Sequence, residues 1–172
     1  KEGPVADEEM VLNLIHGYRA CVSYVDAQVG RVLDELDRLG LRDNTIVVLW
    51  SDHGWKLGDY NMWCKHSNYE IDTRVPMLVR APGMAAVGEQ SFAPVGLIDM
   101  YPTLCDLAGL EKPPHLQGQS FAPLLDAPDM PWNEAAFTIW VRKPNAVSLS
   151  GTIGYSMRSG NYRYTEWRDL NT

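Results

Sequence analysis

Residues 45–54 read Thr45-Ile46-Val47-Val48-Leu49-Trp50-Ser51-Asp52-His53-Gly54. The run Thr45–Trp50 is β-branched and apolar, too short for a helix and without polar alternation. It predicts a central strand buried on both faces, the pattern of a parallel sheet covered by helices. Polar Ser51, Asp52, His53 and Gly54 follow at its carboxyl end, which is where open α/β sheets bind ligands. Upstream, apolar residues from Met10 to Leu36 recur at steps of mostly three and four between Asp7 and Leu39. That spacing predicts one long amphipathic helix, or two with a break, stopped at Gly40.

Downstream, Val75-Pro76-Met77-Leu78-Val79-Arg80 predicts a second strand whose proline sits near an edge or at the strand start. Asp99 is placed to cap a helix from Met100 to Leu107 that carries Pro102 in its first turn and closes at Gly109. Beyond Pro113-Pro114 turn residues alternate with strand-like runs at Ala136–Val141, Ile153–Met157 and Tyr162–Trp167, a small antiparallel sheet packed on the α/β part. The expected division is therefore 1–112 and 113–172.

The chain has 172 residues and a net charge of −7, with no basic block to track a nucleic-acid backbone and no apolar run of transmembrane length. Nucleic-acid binding and a membrane span are set aside. Cys21, Cys64 and Cys105 are widely spaced and fit neither a disulfide framework nor a zinc knuckle. They are expected to be small core residues. A start at Lys1, with an acidic stretch and no charged-then-apolar leader, reads as an internal segment or a processed product.

Asp52 and His53, adjacent at the mouth of a buried strand, offer a hard oxygen and an imidazole to one divalent cation, with Gly54 allowing close backbone approach. The alternative is that Asp52 caps the next turn and His53 makes a core hydrogen bond. Lys65 and His66 lie twelve and thirteen residues beyond His53. Beside a cation they suit an anionic tetrahedral substrate, Lys65 as a point charge and His66 as hydrogen-bond donor or proton carrier. Taken alone, they equally fit a solvated surface pair.

Three segments resemble the type I, formylglycine-dependent sulfatases: Ser51-Asp52-His53-Gly54-Trp55-x-Leu57-Gly58, Trp63-x-Lys65-His66-Ser67-Asn68-Tyr69-Glu70 and Thr73-Arg74-Val75-Pro76-Met77-Leu78. Tyr24-Val25-Asp26-x-Gln28-Val29-Gly30, Asp99-x-Tyr101-Pro102-Thr103-Leu104, Gly118-Gln119-Ser120 and Gly154-Tyr155-Ser156-Met157-Arg158 with Tyr162-Arg163-Tyr164 extend the resemblance over most of the chain. It implies an α/β, alkaline phosphatase-like sheet with flanking helices, of which 1–112 is the C-terminal part, and an incomplete antiparallel subdomain at 113–172.

The resemblance also implies roles. Asp52 and His53 match two calcium ligands, Lys65 matches the lysine on the sulfate and its bridging oxygen, His66 stands beside that lysine, and Trp55 lines the substrate pocket. The nucleophile in such enzymes is a formylglycine made from a cysteine followed by Pro or Ala two residues on and Arg four residues on. Cys21, Cys64 and Cys105 all lack that pattern. The nucleophile and the remaining carboxylate ligands are therefore expected upstream, in the N-terminal part of the same protein, and the 172 residues alone are expected to be inactive. A sulfated carbohydrate is the implied substrate, and an exported or lysosomal setting is implied for the parent protein. Asp59-Tyr60-Asn61 departs from the acidic-His-Gly pattern of many relatives, which opens the question of substrate. The alternatives are a phosphomonoesterase or phosphonate hydrolase of the alkaline phosphatase superfamily, and a non-catalytic carbohydrate-binding relative.

Overall fold

The computed structural model describes residues 7–132, 135–143 and 151–170. Helix α1 runs unbroken over Glu8–Arg38. The Asp7 carboxylate accepts the Met10 amide at 2.8 Å, Glu8 and Glu9 face the positive end of the dipole, and Gly40 leaves the helix at φ +67°. None of its residues is buried. Its link to the site is Tyr18, whose ring lies 6.4 Å from that of Trp55.

Strand β1 (Val47–Trp50) forms where expected, but its pairing differs from the parallel arrangement the sequence suggests. It pairs antiparallel with β4 (Met77–Arg80), Val47 opposite Arg80 and Trp50 opposite Met77. A parallel neighbour needs a crossover that carries the chain back to the same end. Here the intervening chain stays at the carboxyl end of β1, folding into a hairpin of β2 (Lys56–Leu57) and β3 (Trp63–Cys64) and the one-turn helix α2 (Glu70–Thr73). Burial on both faces is likewise not found: Leu49, Trp50 and Leu78 are exposed. The returning chain builds a loop platform beyond the strand end, and the candidate residues sit on it.

Helix α3 (Met100–Ala108) ends at Gly109 with φ +66°, as expected. Asp99 does not cap α3 with its side chain. Its two carboxylate oxygens accept the Gly96 and Gln119 amides, each at 2.8 Å, pinning the preceding 3-10 turn and the segment at 119. Thr103, fully buried, donates to the Asp99 carbonyl at 2.6 Å and accepts the Phe121 amide at 2.9 Å. Around it Pro102, Cys105, Phe121 and Leu124 form a small core. Cys105 is the core residue anticipated, whereas Cys21 and Cys64 are exposed free thiols because α1 and the β2–β3 hairpin bury neither position.

Strands β5 (Ala135–Arg142), β6 (Thr152–Ser159) and β7 (Tyr162–Asp169) form the expected antiparallel sheet in the order β5-β6-β7. The sheet docks on the segment following Lys65. The Asn68 amide donates to the Gly154 carbonyl at 3.1 Å, and a Cβ at Gly154 would stand 2.6 Å from that same side-chain nitrogen. Any larger residue at 154 would have to push the Asn68 amide and the Trp167 ring aside.

Candidate active site at the end of β1

Ser51 turns the chain out of β1, its hydroxyl donating to the His53 carbonyl at 2.7 Å. Gly54 then passes against α2: its amide donates to the Asp72 carbonyl at 2.8 Å, and an added Cβ would lie 1.8 Å from the Ile71 carbonyl oxygen. Close backbone approach at Gly54 is thus real, and it fixes the two residues before it.

His53 Nδ1 lies 2.9 Å from the Gly54 carbonyl oxygen. A carbonyl only accepts, so Nδ1 carries the hydrogen and Nε2 presents a lone pair. Two groups face that lone pair: Lys65 Nζ donates to it at 2.6 Å, and Asp52 Oδ2 lies 3.4 Å away. The Asp52 carboxylate is 80% exposed and caps no turn among the described residues. The Trp55 ring stands 6.2 Å from His53 and backs it from one side.

The donor chemistry fits a divalent cation. A hard carboxylate and an imidazole nitrogen with its lone pair outward meet at one point, and the other imidazole nitrogen is held by a carbonyl, the usual outer support for a metal-bound histidine. Among the described residues no group of three or more His, Cys, Asp or Glu gathers to complete such a site. Asp52 and His53 could therefore supply only two of the donors such a site needs.

From Lys65 to Glu70 the chain runs through bends, with His66 at φ +84°, and its side chains divide between two sides. Lys65 meets His53, Ser67 donates to the Asp72 carboxylate, and Tyr69 packs on Tyr60 with ring centroids 5.2 Å apart. His66, Asn68 and Glu70 turn to the C-terminal sheet: the His66 ring lies 4.9 Å from Trp140, Asn68 bonds to Gly154, and Glu70 is bound by Arg158 and Arg163. The structure therefore brings Asp52, His53, Trp55 and Lys65 together and places His66 on the other side of the same segment. Tyr60, Asn61, Cys64 and His66 are the non-glycine residues of positive φ among the described residues, all within seven positions. Backbone in that region is strained, and strain of this kind collects at functional sites.

Two clusters carried no role in the sequence reading. Glu70 receives Arg163 Nη2 at 2.7 Å and Arg158 Nε at 3.4 Å. Burial pushes its carboxyl up, but the hydrogen bonds and charges of the two arginines outweigh that and hold it below the ordinary glutamate value. Their presence in familiar segments was the only signal. The other cluster is Lys56, Ser67 and Asp72, for which no local signal existed.

The Sulfatase family profile matches residues 2–110, and the profile for the C-terminal region of N-sulphoglucosamine sulphohydrolase matches residues 58–169. Iduronate 2-sulfatase of Mus musculus is 32% identical over 96% of this chain and 39% of its own length. The chain thus spans about two fifths of the length of that curated relative. Among solved structures, a protein in complex with its substrate D-glucosamine-2-N,6-O-disulfate superposes with a TM-score of 0.70 at 31% identity, over 87% of this chain and 32% of that one. A phosphonate monoester hydrolase from Silicibacter pomeroyi superposes with a TM-score of 0.67 at 27% identity, over 84% of this chain and 32% of that one. The fold is accordingly the alkaline phosphatase-like fold of the sulfatases, here with its helices, short sheets and three-stranded C-terminal sheet.

Proposed function

The chain belongs to the sulfatase family, and from that premise we propose that the full-length protein is a sulfuric ester hydrolase that removes sulfate from a sulfated carbohydrate. The observation that carries the reading is the convergence of Asp52, His53 and Lys65 on one point at the end of β1. Family membership implies metal-dependent formylglycine chemistry in general terms. That the metal is calcium, and that the formylglycine arises from a cysteine in the N-terminal part of the same protein, belong to the proposal. So does the division into a catalytic-domain portion at 1–112 and a C-terminal subdomain at 113–172.

Asp52 and His53 would hold the cation, which when bound supplies positive charge to the sulfate oxygens. His53 is oriented for this by its Nδ1 hydrogen bond, which keeps the Nε2 lone pair outward. Lys65 is a point charge on the same side, held at His53 Nε2. Released from His53, its ammonium can hydrogen-bond the bridging oxygen as the S–O bond lengthens and negative charge grows there. Trp55 would give the pocket an apolar wall for the sugar, while His66, whose ring packs on Trp140 on the other side of the Lys65 segment, would take no direct part in this half of the site. The sulfated sugar bound by one structural neighbour supports a carbohydrate substrate.

The phosphonate hydrolase neighbour keeps a second reading in view, in which the same strand end serves a phosphorus ester. Comparing sulfate, phosphate and phosphonate monoesters of one alcohol on the full-length protein separates the two. The sulfatase reading expects kcat/KM to be highest for the sulfate ester. Preference for either phosphorus ester overturns it.

A further inference from the structure

Lys56 and Asp72 are 1% and 4% exposed, and they form an ion pair. Asp72 Oδ2 also accepts the Ser67 hydroxyl, while Asp72 Oδ1 is buried with no hydrogen-bond partner among the described residues. Lys56 Nζ lies 3.4 Å from Ser67 Oγ, which in turn accepts the Tyr69 amide at 3.2 Å. Burying two charges and leaving one carboxylate oxygen unsatisfied is a poor way to stabilise a fold, since an apolar pair of the same volume often does as well or better.

The same residues bridge the two arms of the site. Through its main-chain carbonyl Asp72 holds Gly54, the neighbour of His53, and through its carboxylate it holds Ser67, two residues from Lys65. Lys56 stands opposite Cys64, the residue preceding Lys65, in the β2–β3 hairpin. One buried cluster therefore ties the metal-ligand loop to the lysine segment on both sides.

We propose that Lys56, Asp72 and Ser67 are positioning residues that set the spacing between His53 and Lys65, and so determine how well the Lys65 ammonium meets the charge developing on the substrate. This inference rests on the sulfatase reading and deepens it. Misplacement of a catalytic group by about 1 Å can lower turnover about a hundredfold without abolishing binding.

The test compares K56M/D72N with wild type in the full-length protein. The double substitution removes both charges, keeps the Asp72 shape and most of the Lys56 stem, and strands no lone buried charge. The expected result is a loss in kcat of about tenfold or more with KM changed less than about threefold. In metal-free protein, hydrogen exchange at the Gly54 amide should be faster while β5–β7 keep wild-type protection. Wild-type kcat and KM in the double variant overturn the inference. Should the double variant fail to fold, S67A decides, since it removes the hydroxyl that links the Lys65 segment to Asp72 and Lys56 but keeps their ion pair: a several-fold fall in kcat supports the assignment and an unchanged kcat overturns it. A wild-type protein inert toward sulfate esters defeats the sulfatase reading itself, and the inference falls with it.

Discussion

Lys65 Nζ donates to His53 Nε2 at 2.6 Å across twelve residues of chain. The lone pair that would face a cation is engaged by the group that would face the sulfate. Binding of a cation at Nε2 must displace Lys65, and the displaced ammonium is then available to an anionic substrate beside the cation. On the proposed assignment, cation binding and substrate binding would be coupled through this one contact.

Removal of the exposed carboxylate tests the metal assignment. Asp52→Ala in the full-length protein should weaken calcium binding at least about 10- to 100-fold, the range found for removal of outer partners of metal ligands, and sulfate-ester turnover should fall with it. Calorimetric titration with calcium and steady-state kinetics on the same preparation check this. Normal turnover would remove Asp52 from the site.

Lys65→Ala should lower kcat about 10²- to 10³-fold, the effect of deleting one donor aimed at developing charge. Lys65→Arg should restore only part of the loss, because a planar fork replaces a compact ammonium. An alanine variant with unchanged kcat would return Lys65 to the solvated surface pair that composition alone allows.

Glu70 gives a pH-dependent prediction. Its carboxyl is held below its ordinary value by Arg163 and Arg158, so the unfolded state binds the proton more readily. The stabilisation is present above the ordinary glutamate value of about 4.3 and disappears as pH falls through the lower folded value. Glu70→Gln should destabilise by about 1 kcal/mol at neutral pH, a modest figure because the side chain is 40% exposed and screened by solvent. The difference in thermal midpoint between the two proteins should shrink as the buffer is taken below pH 4. A gap that is constant with pH would mean that the arginines do not act on Glu70 through its charge.

Gly54→Ala probes the platform. A methyl group there would sit 1.8 Å from the Ile71 carbonyl oxygen, so α2 or the Asp52-His53 loop must move. The expected loss is about 1–3 kcal/mol, measured by urea denaturation, together with lost activity. Wild-type stability would show that α2 gives way freely.

Much of the backbone was legible from local pattern. Asp7 and Gly40 bracket α1 because capping and left-handed chain reversal are read within a few residues. The run ending at Trp50 announced a strand, but its partner did not follow from it, since antiparallel pairing with β4 depends on where twenty-six intervening residues fold. Asp52, His53 and Lys65 could be suspected from residue type and placement, and the familiar segments tied them together. Lys56 was invisible: a lysine between Trp55 and Leu57 reads as a surface position. Its burial is created by Asp72, sixteen residues away in sequence. Asp99 shows the same limit on a smaller scale, a good capping residue by type whose carboxylate is taken by Gly96 and by Gln119 from a distant segment.

A crystal structure of the full-length protein grown with calcium and inorganic sulfate tests the half-site most directly. The expected result is an anomalous calcium peak at about 2.3–2.6 Å from the Asp52 carboxylate and within bonding distance of His53 Nε2, with Lys65 Nζ moved from His53 onto a sulfate oxygen. Calcium and sulfate bound elsewhere, with Lys65 still on His53, would contradict the assignment of Asp52, His53 and Lys65 as one half of a sulfate-ester site.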